Sequence, residues 1–169
     1  MAIELAIMAS NGKWNRVAVL EVGGGTVYSK IRQFFQAELS ETDGTFKLDR
    51  INFIPEAGME KVKAWAAVEG TFLILDCGDS LEKYRLVSHI CDRTFLLSRL
   101  APWRIERFYA FLEQNRDLSF TGILITAGKD YRKLFRKKDK EKMLLFDEVE
   151  DPFCITQKRL EELYHIAVS

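Results

Sequence analysis

A chain of 169 residues, 47% of them hydrophobic, is long enough for one domain with a sizeable core and too short to need two. Lys plus Arg and Asp plus Glu both number 25, so global charge gives no argument for nucleic acid as a partner. Three unevenly spaced cysteines, Cys77, Cys91 and Cys154, form no C-x-x-C pair, which predicts a reducing compartment, the cytoplasm, and no zinc site.

The apolar residues Ile3, Leu5, Ala6 and Met8 predict a buried helix that stops at Asn11-Gly12. Its flank carries no basic region, and no apolar run approaches the roughly 18–20 residues of a spanning helix, so secretion and membrane insertion are not expected. Val17 to Val22 is a continuous β-prone run, followed by Gly23-Gly24-Gly25 and by Thr26, an N-cap for a helix from Val27 to Leu39. In that helix Ile31, Phe34, Phe35 and Leu39 recur at helical spacing and predict the buried face. A polar turn at Ser40 to Gly44 precedes one irregular strand from Phe46 to Ile54, closed by Pro55 and Gly58. A short helix from Glu60 to Ala67 follows.

Phe72 to Asp76 is the next strand, Leu81 to Cys91 a helix or helical turn, and Arg93 to Leu100 a further strand. Pro102 opens a helix that carries Ile105, Phe108, Tyr109, Phe111 and Leu112 as far as Asn115. Phe120 to Thr126 is a fifth strand, Tyr131 to Phe135 a short helical piece, and Lys142 to Phe146 a sixth strand. Thr156 to Ile166 is a terminal helix with Leu160, Leu163 and Tyr164 facing inward. Strands separated by helices predict a single α/β domain over residues 1–169, a mostly parallel sheet flanked by helices on both faces. The runs at Val17, Phe72, Phe95 and Phe120 are apolar on both faces and are expected in its centre. The basic run Arg132 to Lys142 reads as a solvated face.

Asp76 is the carboxylate of most interest. A buried parallel strand delivers it to the carboxyl edge of the sheet, where α/β ligands bind and where a hard oxygen ligand suits magnesium beside phosphates. A structural or capping role fits the same pattern, with Ser80 or Asp79 capping the next helix. Gly23 to Thr26 offers bare amides at a helix N-terminus but fits neither the P-loop nor G-x-G-x-x-G, and reads as a turn with an N-cap. Glu21 would be a second acid beside Asp76 if the two strands are neighbours. His89 and His165 have no ligand partner at helical spacing, and Cys77 reads as a small buried residue. The pattern G-x-x-x-x-G-K-[ST] occurs nowhere in the sequence. At the start of the Pro102 helix, Trp103 and Arg104 are the residue types that most often anchor a protein partner.

With Val17 to Gly25, Leu73 to Ser80 and Arg93 to Asn115, the chain resembles the ParA/MinD group of deviant-Walker P-loop ATPases. It looks closest to the TadZ/CpaE-like branch found with bacterial pilus and secretion systems. The resemblance implies a three-layer P-loop NTPase-like fold in which Phe72 to Gly78 is the Walker B-type strand. It also implies that Asp76 holds magnesium and that Asp76 and Gly78 lie at the nucleotide. Family members begin with a strand and a glycine-rich, lysine-bearing loop, then a helix similar to Ala2 to Met8, whereas this sequence starts at that helix. The expectation is therefore a non-catalytic scaffold or localisation protein of a bacterial pilus, secretion or partition system, without a cofactor. Its partners would be a protein of such an apparatus and a second copy in a homodimer, with recruitment to the cell pole or membrane. One alternative is an authentic ATPase using ATP and magnesium, represented by an incomplete chain. In that case an apolar strand and a glycine- and lysine-containing loop are expected within about 20 residues upstream of Met1. A second alternative is a phosphoacceptor receiver domain, for which Gly128-Lys129 fits the lysine after the fifth strand and Glu21 stands for the acidic pair.

Overall fold

The computed structural model describes residues 1–39, 44–126 and 143–168. The chain divides into two compact units, the first formed by Met1–His89 with Asp151–Ser169 and the second by Ile90–Glu150. The elements run α1 (Ala2–Ser10), β1 (Arg16–Glu21), α2 (Val27–Phe35), β2 (Phe46–Leu48), β3 (Ile51–Ile54), α3 (Met59–Ala66), β4 (Thr71–Asp76) and α4 (Leu81–Val87). They continue as β5 (Phe95–Arg99), α5 (Pro102–Gln114), β6 (Thr121–Thr126), β7 (Met143–Asp147) and α6 (Gln157–Val168).

The first unit holds a four-stranded sheet in the order β2-β3-β1-β4. β1 pairs in parallel with β3 on one side and with β4 on the other, and only β2 runs antiparallel to its neighbour. Side chains alternate across a strand. Val17 and Val19 of β1 therefore pack on one face with Ala6 and Ala9 of α1 and Tyr28 of α2. Ala18 and Leu20 pack on the other face with Val62 of α3 and Val87 of α4. Helices thus cover both faces, which fits the apolar run Val17 to Leu20 that precedes the buried Glu21. The second unit has three parallel strands in the order β5-β6-β7, with Phe108 of α5 packed on Leu100 and Leu124. The fold is α/β, with mostly parallel sheets flanked by helices.

Several sequence expectations need correction. Among the described residues the strands pair as one sheet in each unit, and of the four expected central strands only β1 and β6 have neighbours on both sides; β4 and β5 are edge strands there. Apolarity on two faces reports cover by layers above and below, not the number of flanking strands. Residues 46–54 form a hairpin instead of one strand, because Asp49 takes a left-handed φ of 50° and turns the chain between β2 and β3.

In α2 only Ile31 of the expected buried face packs against the core, half-buried; Phe34 is 81% exposed, and Phe35 and Leu39 are also exposed. Tyr28 is the residue drawn into the core, and Phe34 sits roughly 120° around the helix from it. The helix then ends at Gln36 in the left-handed conformation, short of Leu39. Phe35 meets the ring of Phe153 at 4.9 Å. In α6, Tyr164 is exposed while Arg159 is buried. The expected helical piece at Tyr131 to Phe135, the basic run, Gly128-Lys129 and all of the turn at Ser40 to Gly44 except Gly44 lie outside the described residues.

Arg159 reaches Glu4 of α1, Nε to Oε2 at 2.7 Å, and both side chains are almost fully buried. The amino group of Met1 lies 3.0 Å from the other carboxylate oxygen. Burial works against the Glu4 carboxylate, but the hydrogen bonds and charges of Arg159 and the amino group outweigh it and hold its pKa below the ordinary value. A buried pair broken on one side leaves an uncompensated charge. Arg159→Ala is therefore expected to cost about 3–5 kcal/mol in urea unfolding, and Glu4→Met/Arg159→Met much less. Because the folded-state pKa is lowered, the Glu4 contribution is full above the ordinary value of 4.5 and is lost as pH falls through the lowered one. Glu4→Gln should flatten that part of the stability-pH profile.

Candidate functional site at the carboxyl edge of the first unit

β1 and β4 end together, with Glu21 and Asp76 paired in register. The sequence left their adjacency conditional, and the strands are immediate neighbours. The turns that follow are locked to each other: the amides of Val22 and Gly23 both donate to the Asp76 carbonyl, at 2.8 and 3.2 Å. A Cβ on Gly23 would stand 2.5 Å from the Cys77 carbonyl oxygen, so only glycine fits between these two backbones. After β4 the chain turns through Gly78 at φ +57°, and the Gly78 amide donates to Asp76 Oδ1 at 2.9 Å. Ser80 then caps α4 by accepting from the Lys83 amide.

The second oxygen of Asp76 accepts from the Tyr28 hydroxyl at 2.6 Å. Tyr28 comes from the first turn of α2 and is buried against Phe53, ring to ring at 5.7 Å. Burial first, then the charge of Asp76, its hydrogen bond and the charge of Glu21 push the phenol pKa well above its ordinary value. Tyr28 therefore stays a proton donor. Glu21 is 4% exposed; its Oε1 accepts from the Val27 amide at 3.1 Å, and its Oε2 has no hydrogen-bond partner. The glycine turn and Thr26 thus bring the helix start over Glu21, and it is the carboxylate, not the Thr26 hydroxyl, that caps α2.

Among the described residues no group of three His, Cys, Asp or Glu side chains forms a metal site. Asp76 already holds a donor on each oxygen, and the neighbouring Gly23–Thr26 turn brings no lysine. An ion placed at Asp76 would share its carboxylate with the 2.6 Å bond from the buried phenol. Asp76 and Gly78 are brought together with Glu21 and Tyr28. Trp103 and Arg104 belong to the second unit, where both are exposed on the first turn of α5, Trp103 at 73%. Tyr28 was missed from sequence. Its signal was there, an aromatic three residues before Ile31 on one helical stripe next to the glycine turn.

No family model matches the sequence, and no curated protein matches it. Among solved structures, a crystal structure of a plasmid partition protein from Borrelia burgdorferi is similar at a TM-score of 0.61 and 17% sequence identity, over 98% of this chain and 89% of that one. At that identity the likeness is one of fold, a mostly parallel α/β arrangement flanked by helices.

Tyr28→Phe removes the donor to Asp76 while keeping the ring. It is expected to cost about 1–3 kcal/mol, and a double-mutant cycle with Asp76→Asn should recover most of that as coupling. Denaturant titration measures it; a loss under about 0.5 kcal/mol would mean that water replaces the phenol at no cost.

Proposed function

We propose that this chain is a ParA/MinD-like domain of the TadZ/CpaE-like branch that acts as a scaffold or localisation factor in a bacterial pilus, secretion or partition system. It works through protein contacts and does not hydrolyse ATP by itself. The likeness in fold to a plasmid partition protein supports the type of role. The observation that carries the non-catalytic part is Asp76, whose carboxylate accepts from Tyr28 and Gly78 in a chain whose sequence contains no P-loop pattern. Magnesium and nucleotide bind P-loop proteins through a ring of amides and a lysine, and one carboxylate does not replace them. The protein resides in the cytoplasm in this reading and reaches the cell pole or membrane through its partner. The partner contact falls on Trp103 and Arg104, with a homodimer as a further assembly.

The second reading is an ATPase of this family whose phosphate loop lies outside the present sequence. It is favoured by β4, an apolar strand with β1 as its single partner among the described residues. The receiver reading calls for a strand order of 2-1-3-4-5; the parallel strands β3-β1-β4 of the first unit follow its 2-1-3 start, and the antiparallel β2 is an addition to it.

Calorimetric titration with ATP and magnesium separates the first two: binding weaker than about 1 mM is expected, and micromolar affinity lost in Asp76→Asn would overturn the scaffold reading. Trp103→Ala should weaken capture of the partner roughly tenfold or more without changing the melting temperature. A fall in stability with capture unchanged would assign Trp103 to packing.

A further inference from the structure

The amino edge of the first unit carries a different chemistry. A cleft of about 600 Å³ opens there, within the size range of small-molecule sites. The loop between α1 and β1 contributes Lys13 and Trp14, the start of β1 Arg16, the β2–β3 hairpin Lys47 and Arg50, and α3 Trp65. No acidic residue lines it among the described residues. Among the described residues none of the four cations is in an ion pair, although Asp49 stands between Lys47 and Arg50 in sequence. Lys13 lies 5.5 Å over the Trp14 ring.

Four like charges around one cleft, unpaired among the described residues, repel one another in a chain whose total charge is balanced. An anion would relieve that repulsion. Two indoles beside the cations add flat apolar surface, which stacks on a planar ring and gains from cations nearby. Volume, charge and aromatic walls together describe a ligand with a phosphate chain at one end and a ring at the other.

We propose that this cleft binds a small molecule of the nucleoside di- or triphosphate class, without magnesium, at the edge of the sheet opposite Asp76. The phosphates sit among Arg16, Lys47, Arg50 and Lys13, and the ring lies against Trp14 or Trp65. Because the cations themselves neutralise the phosphates, a divalent ion competes with the site and does not complete it. The proposal does not depend on any activity at Asp76.

The test uses the full chain with Trp103→Phe, which leaves Trp14 and Trp65 as the tryptophans that report. Adding a nucleoside triphosphate in the presence of a chelator should quench their fluorescence saturably, with calorimetry confirming the binding. Affinity should fall as salt rises. Lys47→Glu/Arg50→Glu should weaken binding roughly tenfold or more, and Trp65→Leu by about threefold, each with an unchanged circular dichroism spectrum. Inorganic triphosphate should bind more weakly than the nucleotide.

Several results would overturn the proposal. One is no binding up to about 5 mM nucleotide. Another is a charge reversal that only lowers the melting temperature, which would assign the cations to offsetting the carbonyls at the end of α1. Binding of a single-stranded oligonucleotide but not of free nucleotide would make the face a nucleic-acid surface. Binding that needs magnesium and is lost in Asp76→Asn, with Lys47→Glu/Arg50→Glu unaffected, would put the nucleotide at the other edge and would also bear against the scaffold reading.

Discussion

The carboxyl edge of the first unit is set by the parallel pairing of β1 with β4 in a register that ends both strands at once, Glu21 against Asp76. Two carboxylates brought side by side at a sheet edge repel unless donors separate or satisfy them. Each donor present is supplied by a neighbouring backbone or a neighbouring helix: Val27 for Glu21, Gly78 and Tyr28 for Asp76. Those bonds in turn dictate where the chain leaves β1 and β4. Gly23 is needed because the two exits run so close that a Cβ would strike the Cys77 carbonyl. α2 is turned so that Tyr28 faces in, and Phe34 is left in solvent as a result. One pairing therefore fixes a turn, a helix orientation and an exposed aromatic.

The same constraint explains why the edge looks like a nucleotide site and is furnished differently. A strand-end acid, a glycine and a helix N-terminus are the ingredients of phosphate chemistry, and they are also the ingredients of a self-satisfied polar cluster. What separates the two is whether the donors point at an absent ligand or at the carboxylates themselves. Here they point at the carboxylates, apart from Glu21 Oε2, which is buried without a partner. That atom marks the one place where the cluster is incomplete.

Much of this architecture could be read from the order of residues, because period and punctuation are local signals. The apolar run before Asp76, the glycine turn before Val27, Pro102 at a helix start and the alternation of strands with helices all lie within a few residues of the elements they define. Strand order is not local: nothing near Phe72 says that β4 has a single neighbour among the described residues. The pair between Glu4 and Arg159 joins residues 155 apart, and no pattern at either end announces it. The hairpin at Asp49 had a polar pair as its signal, outweighed by β-formers on both sides. The basic cleft was not legible in the sequence because its cations come from two separate segments, each unremarkable alone, and only the fold of the first unit collects them at one edge.

β4 holds the remaining tension between sequence and structure. Its residues Phe72 to Leu75 are those of a strand buried on both faces, yet each is only half-buried, because one side of its backbone has no ladder among the described residues. Edge strands in natural proteins are commonly protected by a charge, a proline or a bulge. Phe72 to Leu75 contains no charge and no proline, and β4 keeps an unbroken register with β1 over its six residues. A strand of this composition gains more from a second partner than any other in the unit, through backbone hydrogen bonds and through cover for its apolar side chains. That is the physical content of the choice between the two readings of this domain. A partner that pairs with β4 would complete a sheet and place new backbone directly beside Asp76, whereas a domain that works with β4 as it stands must keep that edge dilute or occupied by contacts of another kind.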